Sequence, residues 1–335
     1  MFKNILGFVL IDAPHSALNN AGEDAGARTE NTVAVKVIRK GRSVYPYVSA
    51  QAWRYWWRNT LAEKMGWNVS PIIRDAKIAF TSANPFEYQD DDVFGYMRAL
   101  KKADGGTLTR LSPLKCSTLV SIFDSTPIDD FGVMSRHEGD PVPFEHQFYS
   151  TVLKGIFSLN LDSIGVYYDT ARTGFKNLDE NYVTKPEIKA SIQKVGAAKI
   201  NGMWKLPKGE RVKRAKDTIG ILPYLYCTTK SAIHLTDVTP KFIILAVIKG
   251  GNHIFMNITN NSYDKPLINV PALKQVLTDY KDTIISDIYI GRQQGFIDDI
   301  ATELSEIKID NKAIHISSPK NIVEKFVNVI EQHIE

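Results

Sequence analysis

The chain has 335 residues, 44% of them hydrophobic, with a net charge of only +4. That length supports one large domain or two ordinary ones, and that composition excludes a chain disordered throughout. No segment approaches the roughly 18 apolar residues of a membrane span, and two distant cysteines, Cys116 and Cys227, suit free thiols in a reducing cytoplasm.

In chain order, "NILGFVLID" (4–12) reads as a first strand, not a signal peptide, since the apolar run passes directly into acid and proline. The loop "GEDAGARTEN" follows, with Glu23, Asp24 and Glu30 as carboxylates able to orient a 2′-hydroxyl or a divalent ion, or simply to be solvated. A second strand-like run covers 31–40. The segment "PYVSAQAWRYWWRNT" (46–60) then predicts a helix over 49–65, capped by Ser49. At helical spacing Trp53, Trp56, Trp57, Thr60 and Leu61 share one side, and Gln51, Arg54, Tyr55 and Arg58 the other. The tryptophans are an anchor; the arginines suit either a solvated face or a face turned to phosphate.

Residues 67–144 are rich in Pro, Asp and Gly and read as an insertion. Within them "RHEGDPVPFEH" gathers His137, Glu138, Glu145 and His146, but two prolines and a glycine break the single helix that a paired-histidine metal motif needs. No metal site is expected. P-loop, dinucleotide, nucleophile-elbow and C-x-x-C motifs are also missing, so no catalytic residue and no cofactor is assigned.

Strand-like runs at 117–123 and 149–161 precede a second insertion, 166–217. From Lys185 to Lys216 it carries ten Lys or Arg against two acids, while Asp279 to the end holds eleven acids against six bases. Such polarity fits one face turned to a polyanion. Lys199, Lys205, Lys208 and Arg211 surround Met203 and Trp204, the mixture of cations and flat or bulky side chains that single-stranded nucleic acid needs, although Trp204 equally suits packing on its own hairpin. Further strand patterns at 241–250, 253–259 and 282–291, and helical ones at 211–226, 268–280 and 319–334, make the chain α+β with a mainly antiparallel sheet.

The blocks "FVLIDAPHSALNNAG", "NTVAVKVIRKG", "YPYVSAQAWRYWWRNTL", "FEHQFYSTVLKGIFSLNLDSIG" and "RVKRAKDTIGILPYLY…LTDVTPKF" resemble, in order, the DevR-like autoregulator family. That family supplies the backbone subunit of type I CRISPR surveillance complexes (Cascade), here of a subtype I-B-like kind. The resemblance implies a modified RNA-recognition-motif (ferredoxin-like) palm from 1–66, 145–165 and 218–335. It also implies a helical fingers insertion at 67–144 and a thumb hairpin insertion at 166–217. Copies would polymerise head-to-tail along a CRISPR guide RNA beside other Cascade subunits, with target DNA pairing to the guide. Carried over residue by residue, Ser49, Gln51, Arg54 and Arg58 grip the guide backbone. Asn20, Arg28 and Lys36 approach it from the first loop and the strand after it, Lys199, Met203, Trp204 and Lys205 form the thumb wedge, and Lys230 stands in "CTTKSA" where relatives carry a Gly-Gly-Ala-like turn. Two alternatives remain: a metal-dependent ribonuclease using Asp24, whose surroundings do not match the type III motif, and a duplex-DNA-binding regulator, which lacks a helix-turn-helix pattern.

Overall fold

A computed structural model of the chain describes residues 2–23, 32–75, 78–99, 106–136, 138–170, 172, 175–227, 234–262 and 265–335. Its centre is a twelve-stranded sheet. In chain order the strands are β1 (Lys3–Ser16), β2 (Asn20–Glu23), β3 (Thr32–Val35), β4 (Val37–Lys40), β5 (Ser43–Val48) and β6 (Leu114–Cys116). They continue with β7 (Leu119–Ser121), β8 (Ile128–Met134), β9 (Val142–Asn160), β10 (Phe242–Lys249), β11 (Ile288–Arg292) and β12 (Ile314–Ser317). The main path runs β12-β11-β10-β1-β9-β7-β5-β4, with β3, β6 and β8 also paired to β9, and β2 to β3. Among the described residues only β11–β12 and β3–β9 are parallel.

β1 is a near-continuous apolar run because both its faces are covered. Ile5, Val9 and Ile11 face one core and Leu6, Phe8 and Leu10 the other. On the first face lies helix α1 (Ala50–Met65), whose Trp53, Trp56 and Trp57 are buried as the spacing required. Trp57 meets Phe157 edge-on at 5.0 Å and donates its indole N–H to Thr218 O at 2.7 Å. Gly155 of β9 makes this approach possible: a Cβ there would stand 2.3 Å from Leu119 and 3.1 Å from the Trp53 ring. Helices α4 (Lys208–Gly220) and α6 (Pro319–Val329) complete this layer, with Val212, Ala215, Ile219, Ile322 and Phe326 in the same core. The opposite layer packs under α5 (Val270–Asp279) through Leu273 and Leu277. The expected strand at 253–259 is not one. Residues 254–257 form a turn that sends Phe255 and Ile258 into the second core, so its apolar pattern records burial without a ladder.

Beside the sheet stands a smaller side unit. It contains the hairpins Ile73–Asp75/Ile78–Phe80 and Tyr96–Arg98/Leu108–Arg110, helices α2 (Gln89–Phe94) and α3 (Pro186–Val195), and a three-stranded sheet of 166–167, 198–200 and 203–205. One core joins the two segments that the sequence separated: Phe86, Tyr96 and Leu108 from the first pack with Tyr167, Leu178, Tyr182, Ile188 and Leu206 from the second. The boundary expected at residue 144 moves accordingly. Residues 114–134 leave this unit and pair with β9 as β6 and β8, with β7 between them.

Two of three consecutive acids of α2, Asp90 and Asp92, fasten the side unit to the main layer, and the third, Asp91, bonds within the side unit. Asp92, fully buried, accepts from Arg110, from Arg214 of α4 at 2.8 Å and from the Gly165 N–H at 3.0 Å. Asp90 accepts from Arg58 of α1 at 2.7 Å and from Ser70 N–H at 2.9 Å. Asp91 accepts from Asn84 N–H at 2.9 Å, and burial holds its carboxyl up at about 6. Neither Cys116 nor Cys227 is held in a disulfide.

Candidate nucleic-acid interface

Ser49 caps α1 as expected, accepting from Ala52 N–H at 3.3 Å. Its own N–H donates to Asn19 Oδ1 at 2.8 Å, and the Asn19 carbonyl accepts from Lys36 N–H at 2.9 Å. Asn19 thereby draws four sequence-predicted residues, Asn20, Lys36, Ser49 and Gln51, to the N-terminal end of one helix. No acid occupies the first turn of α1, so its free N–H groups and dipole favour an anion. Asn20 and Gln51 are exposed.

The patch continues where sequence reasoning did not look. The β4–β5 hairpin presents Arg39, Lys40 and Arg42, all exposed, and neither they nor Lys36 form an ion pair with a described residue. Lys36, Arg39 and Tyr47 line a cleft of about 630 Å³ together with Gln147 and Asp129. The run "VIRKGR" carried the signal: three cations around a two-residue turn face solvent.

Other expected contacts change role. Arg54 and Arg58 do not project freely. Arg54 donates to Phe94 O at 2.7 Å, to Leu114 O and to Ser112 Oγ, with its guanidinium over the Phe94 ring. Arg58 is engaged by Asp90 and by Ser70 O. The side unit covers the face that the helix pattern left open, and two arginines opposite carbonyls and a buried acid become struts. Lys199 is held by Asp169 at 3.1 Å and Glu180 at 3.6 Å. Trp204 packs against Phe86 at 6.0 Å and the third core, so it is not a free wedge; Arg211 is buried, donating to Ile164 O and Leu161 O. Met203 stays half-buried beside the Asn201-Gly202 turn, whose positive φ values (50° and 78°) make it a tight hairpin tip, and Lys205 is half-buried two residues on. Arg28, Lys230, Asp24, Glu30 and His137 lie outside the described residues.

The "RHEGDPVPFEH" stretch belongs to a projecting arm of β8 and the outer half of β9. Glu145 is buried, and His146 meets Phe144 ring to ring at 5.1 Å. Among the described residues no group of three His, Cys, Asp or Glu is placed to hold a metal ion. The arm exposes Ile128 (59%), Phe131 (61%), Val133 (50%) and Met134 (58%). Side chains alternate along this unbroken strand, so Phe131 and Val133 share one face and Ile128 and Met134 the other, and the arm carries apolar side chains to solvent on both faces. Among the described residues no helix is long and apolar enough to cross a membrane.

Sheet, side unit and basic patch together define a mixed α+β protein with a large, mainly antiparallel sheet and a charged surface at a helix N-terminus. The family model for the CRISPR-associated negative auto-regulator DevR/Csa2 matches residues 11–265, and the chain belongs to that family. Comparison with curated proteins finds no match. A solved chain titled "CRISPR RNA-guided surveillance complex" is similar in fold, with a TM-score of 0.53 at 12% identity, over 97% of this chain and 99% of that one. A chain from the complex titled as "pre-nicking" gives 0.53 at 10%, over 98% and 99%.

Proposed function

We propose that this protein is a non-catalytic, guide-RNA-binding backbone subunit of a CRISPR RNA-guided surveillance complex. Copies assemble head-to-tail along the guide beside other subunits, leaving its bases free to pair with target DNA. The observation that carries this reading is the convergence of Asn20, Lys36, Ser49 and Gln51 on the N-terminus of α1, continued by cations of the β4–β5 hairpin that form no ion pair with a described residue. Cations without internal partners exchange counterions for phosphates, and they do so without reading sequence. Family membership and the titles of the similar structures support the same assignment.

On this reading the main sheet and α1 are the palm of a modified RNA-recognition motif, and the side unit is the fingers together with the base of the thumb. The β8–β9 arm takes the role that the resemblance gives to the thumb wedge of Lys199, Met203, Trp204 and Lys205. From Asp124 to Glu145 there are six acids and one arginine, beside the apolar side chains. Lys189 and Lys194 are exposed on the side unit, and Lys208 is exposed where α4 begins beside it. Opposite charges at two ends of one molecule suit a head-to-tail contact, which generates an open helix.

The test is assembly on RNA. The purified protein should carry RNA of defined length on a denaturing gel and should sediment as a regular multimer on an RNA of about 40 nucleotides, which spans several sites at the few-to-16 nucleotides typical of a module. Phe131→Ser with Val133→Ser should abolish the multimer and leave binding of a short RNA intact. Target RNA incubated with Mg²⁺ or Mn²⁺ should remain whole. Cleavage at regular intervals that Asp24→Ala removes would replace this reading with the ribonuclease one.

A further inference from the structure

A cleft of about 370 Å³ opens where one end of the main sheet meets the side unit; its Ser112 also accepts from Arg54 of α1, but none of its lining residues belongs to the patch of Asn20, Lys36, Ser49 and Gln51. The sheet contributes Phe2 and Asn4 at the start of β1, Ser158 and Asn160 at the end of β9, and the backbone of Gly250–Gly251 after β10; the side unit contributes Tyr168 and Phe175. The size lies within the roughly 300–1,000 Å³ of small-molecule sites, and the position between two packed units is where such sites form.

Its lining has one chemical character. Three aromatic rings stand at the rim, Phe2 61% and Phe175 39% exposed and Tyr168 half-buried. Arg172 lies over the Phe175 ring at 4.8 Å. No described residue of the lining is an acid, whereas Lys115 lines the cleft, is exposed and forms no ion pair with a described residue. Lys115 lies opposite Ser158 in the β6–β9 register, which sets a cation beside a hydroxyl. Asn160 accepts from Ser163 N–H at 2.9 Å through its carbonyl oxygen, leaving its amide as a donor. The Tyr168 ring is carried on fixed backbone: its N–H donates to Asn177 Oδ1 at 3.0 Å, and its carbonyl accepts from Asn177 and Leu178 at 2.8 and 3.1 Å. A flat ring bearing hydrogen-bonding edges and an attached anion satisfies all of these groups together. By contrast, the cleft of about 430 Å³ beside α3 is lined by Glu87, Glu187 and Glu210 and repels such a ligand.

We infer that this cleft is a nucleotide-binding pocket, stacking a base on Tyr168 and Phe175 and holding its phosphate at Lys115. The nucleotide is either free or one residue of a single strand. It is tested on nucleic-acid-free full-length protein by calorimetric titration with AMP, with ribose 5-phosphate, and with a short single-stranded RNA with or without one abasic position. A free nucleotide site gives saturable AMP binding; a strand-borne one gives RNA binding that the abasic position weakens. In either case Tyr168→Ala and Lys115→Ala should each loosen binding by about fivefold or more, a stacked base contributing about 1–3 kcal/mol, and Tyr168→Phe should bind like the wild type. Ribose 5-phosphate binding as tightly as AMP, or affinities unchanged in both loss variants, would overturn the pocket. The α1 patch is a separate surface, so replacing Lys36, Arg39 and Arg42 leaves AMP binding intact, and the two sites fail independently.

Discussion

Helix α1 is flanked by two sets of cations that look alike in the sequence and differ in the fold. Arg54 and Arg58 spend their donors on Phe94 O, Leu114 O, Ser112, Ser70 O and the buried Asp90. Lys36, Arg39, Lys40 and Arg42 make no ion pair with a described residue. A guanidinium already matched to internal acceptors stabilises the protein, and removing it strands a buried charge. An unmatched surface cation contributes little to stability and remains available to an incoming phosphate. Position on a helix face therefore does not decide whether an arginine binds RNA; what covers that face does.

The contrast sharpens first at the acids that hold the struts. Asp92→Ala leaves Arg110 and Arg214 buried without their shared carboxylate and should cost about 3–5 kcal/mol in chemical denaturation. Trp57→Ala should cost a similar 3–5 kcal/mol, by opening a cavity against Phe157 and losing the bond to Thr218. Arg58→Ala should cost less, about 1–3 kcal/mol, because its side chain is partly exposed and Asp90 keeps the Ser70 N–H. A fully stable Arg58→Ala protein would return that arginine to the surface set.

The burial of the tryptophans, the Ser49 cap and the α+β class were legible because each follows from local pattern: period, capping chemistry and apolar runs. The fate of Arg54 and Arg58 was not, since it depends on Ser70, Asp90, Phe94, Ser112 and Leu114 being brought back over them. Trp204 was ambiguous for the same reason: its partner Phe86 lies far away in sequence, and only the shared core of the side unit joins them. The 253–259 run failed differently, having strand-like composition but only an isolated bridge from Thr259 to Ile268 in place of a ladder. The β4–β5 cations stand in a short run, "VIRKGR", whose charge is outweighed in the sequence by the longer basic run at 185–216, yet at least half of that longer run's cations are paired or buried.

Asp91 offers a smaller test of the acid cluster. Its folded carboxyl titrates near 6 against an ordinary 3.8, with burial as the main cause. A raised value means that the folded protein binds this proton more tightly, so the contribution is present at low pH and is lost as pH rises through 6. Between pH 7.5 and 5, wild type should therefore gain about 1.4 kcal/mol of stability relative to Asp91→Asn. Equal pH profiles for the two proteins would show that Asp91 is solvated.

The most direct measurement compares the two cation sets in RNA binding at several salt concentrations. With about 0.7 of slope per phosphate contact on a single strand, Lys36→Ala/Arg39→Ala/Arg42→Ala should lower the slope of log K against log salt by roughly 2, with stability changed by no more than about 0.5 kcal/mol. Arg54→Ala should shift stability and leave the slope of the folded fraction unchanged. The reverse pattern, an unchanged slope in the triple variant and a reduced one in Arg54→Ala, would contradict the assignment of the RNA surface to the α1 N-terminus and the β4–β5 hairpin.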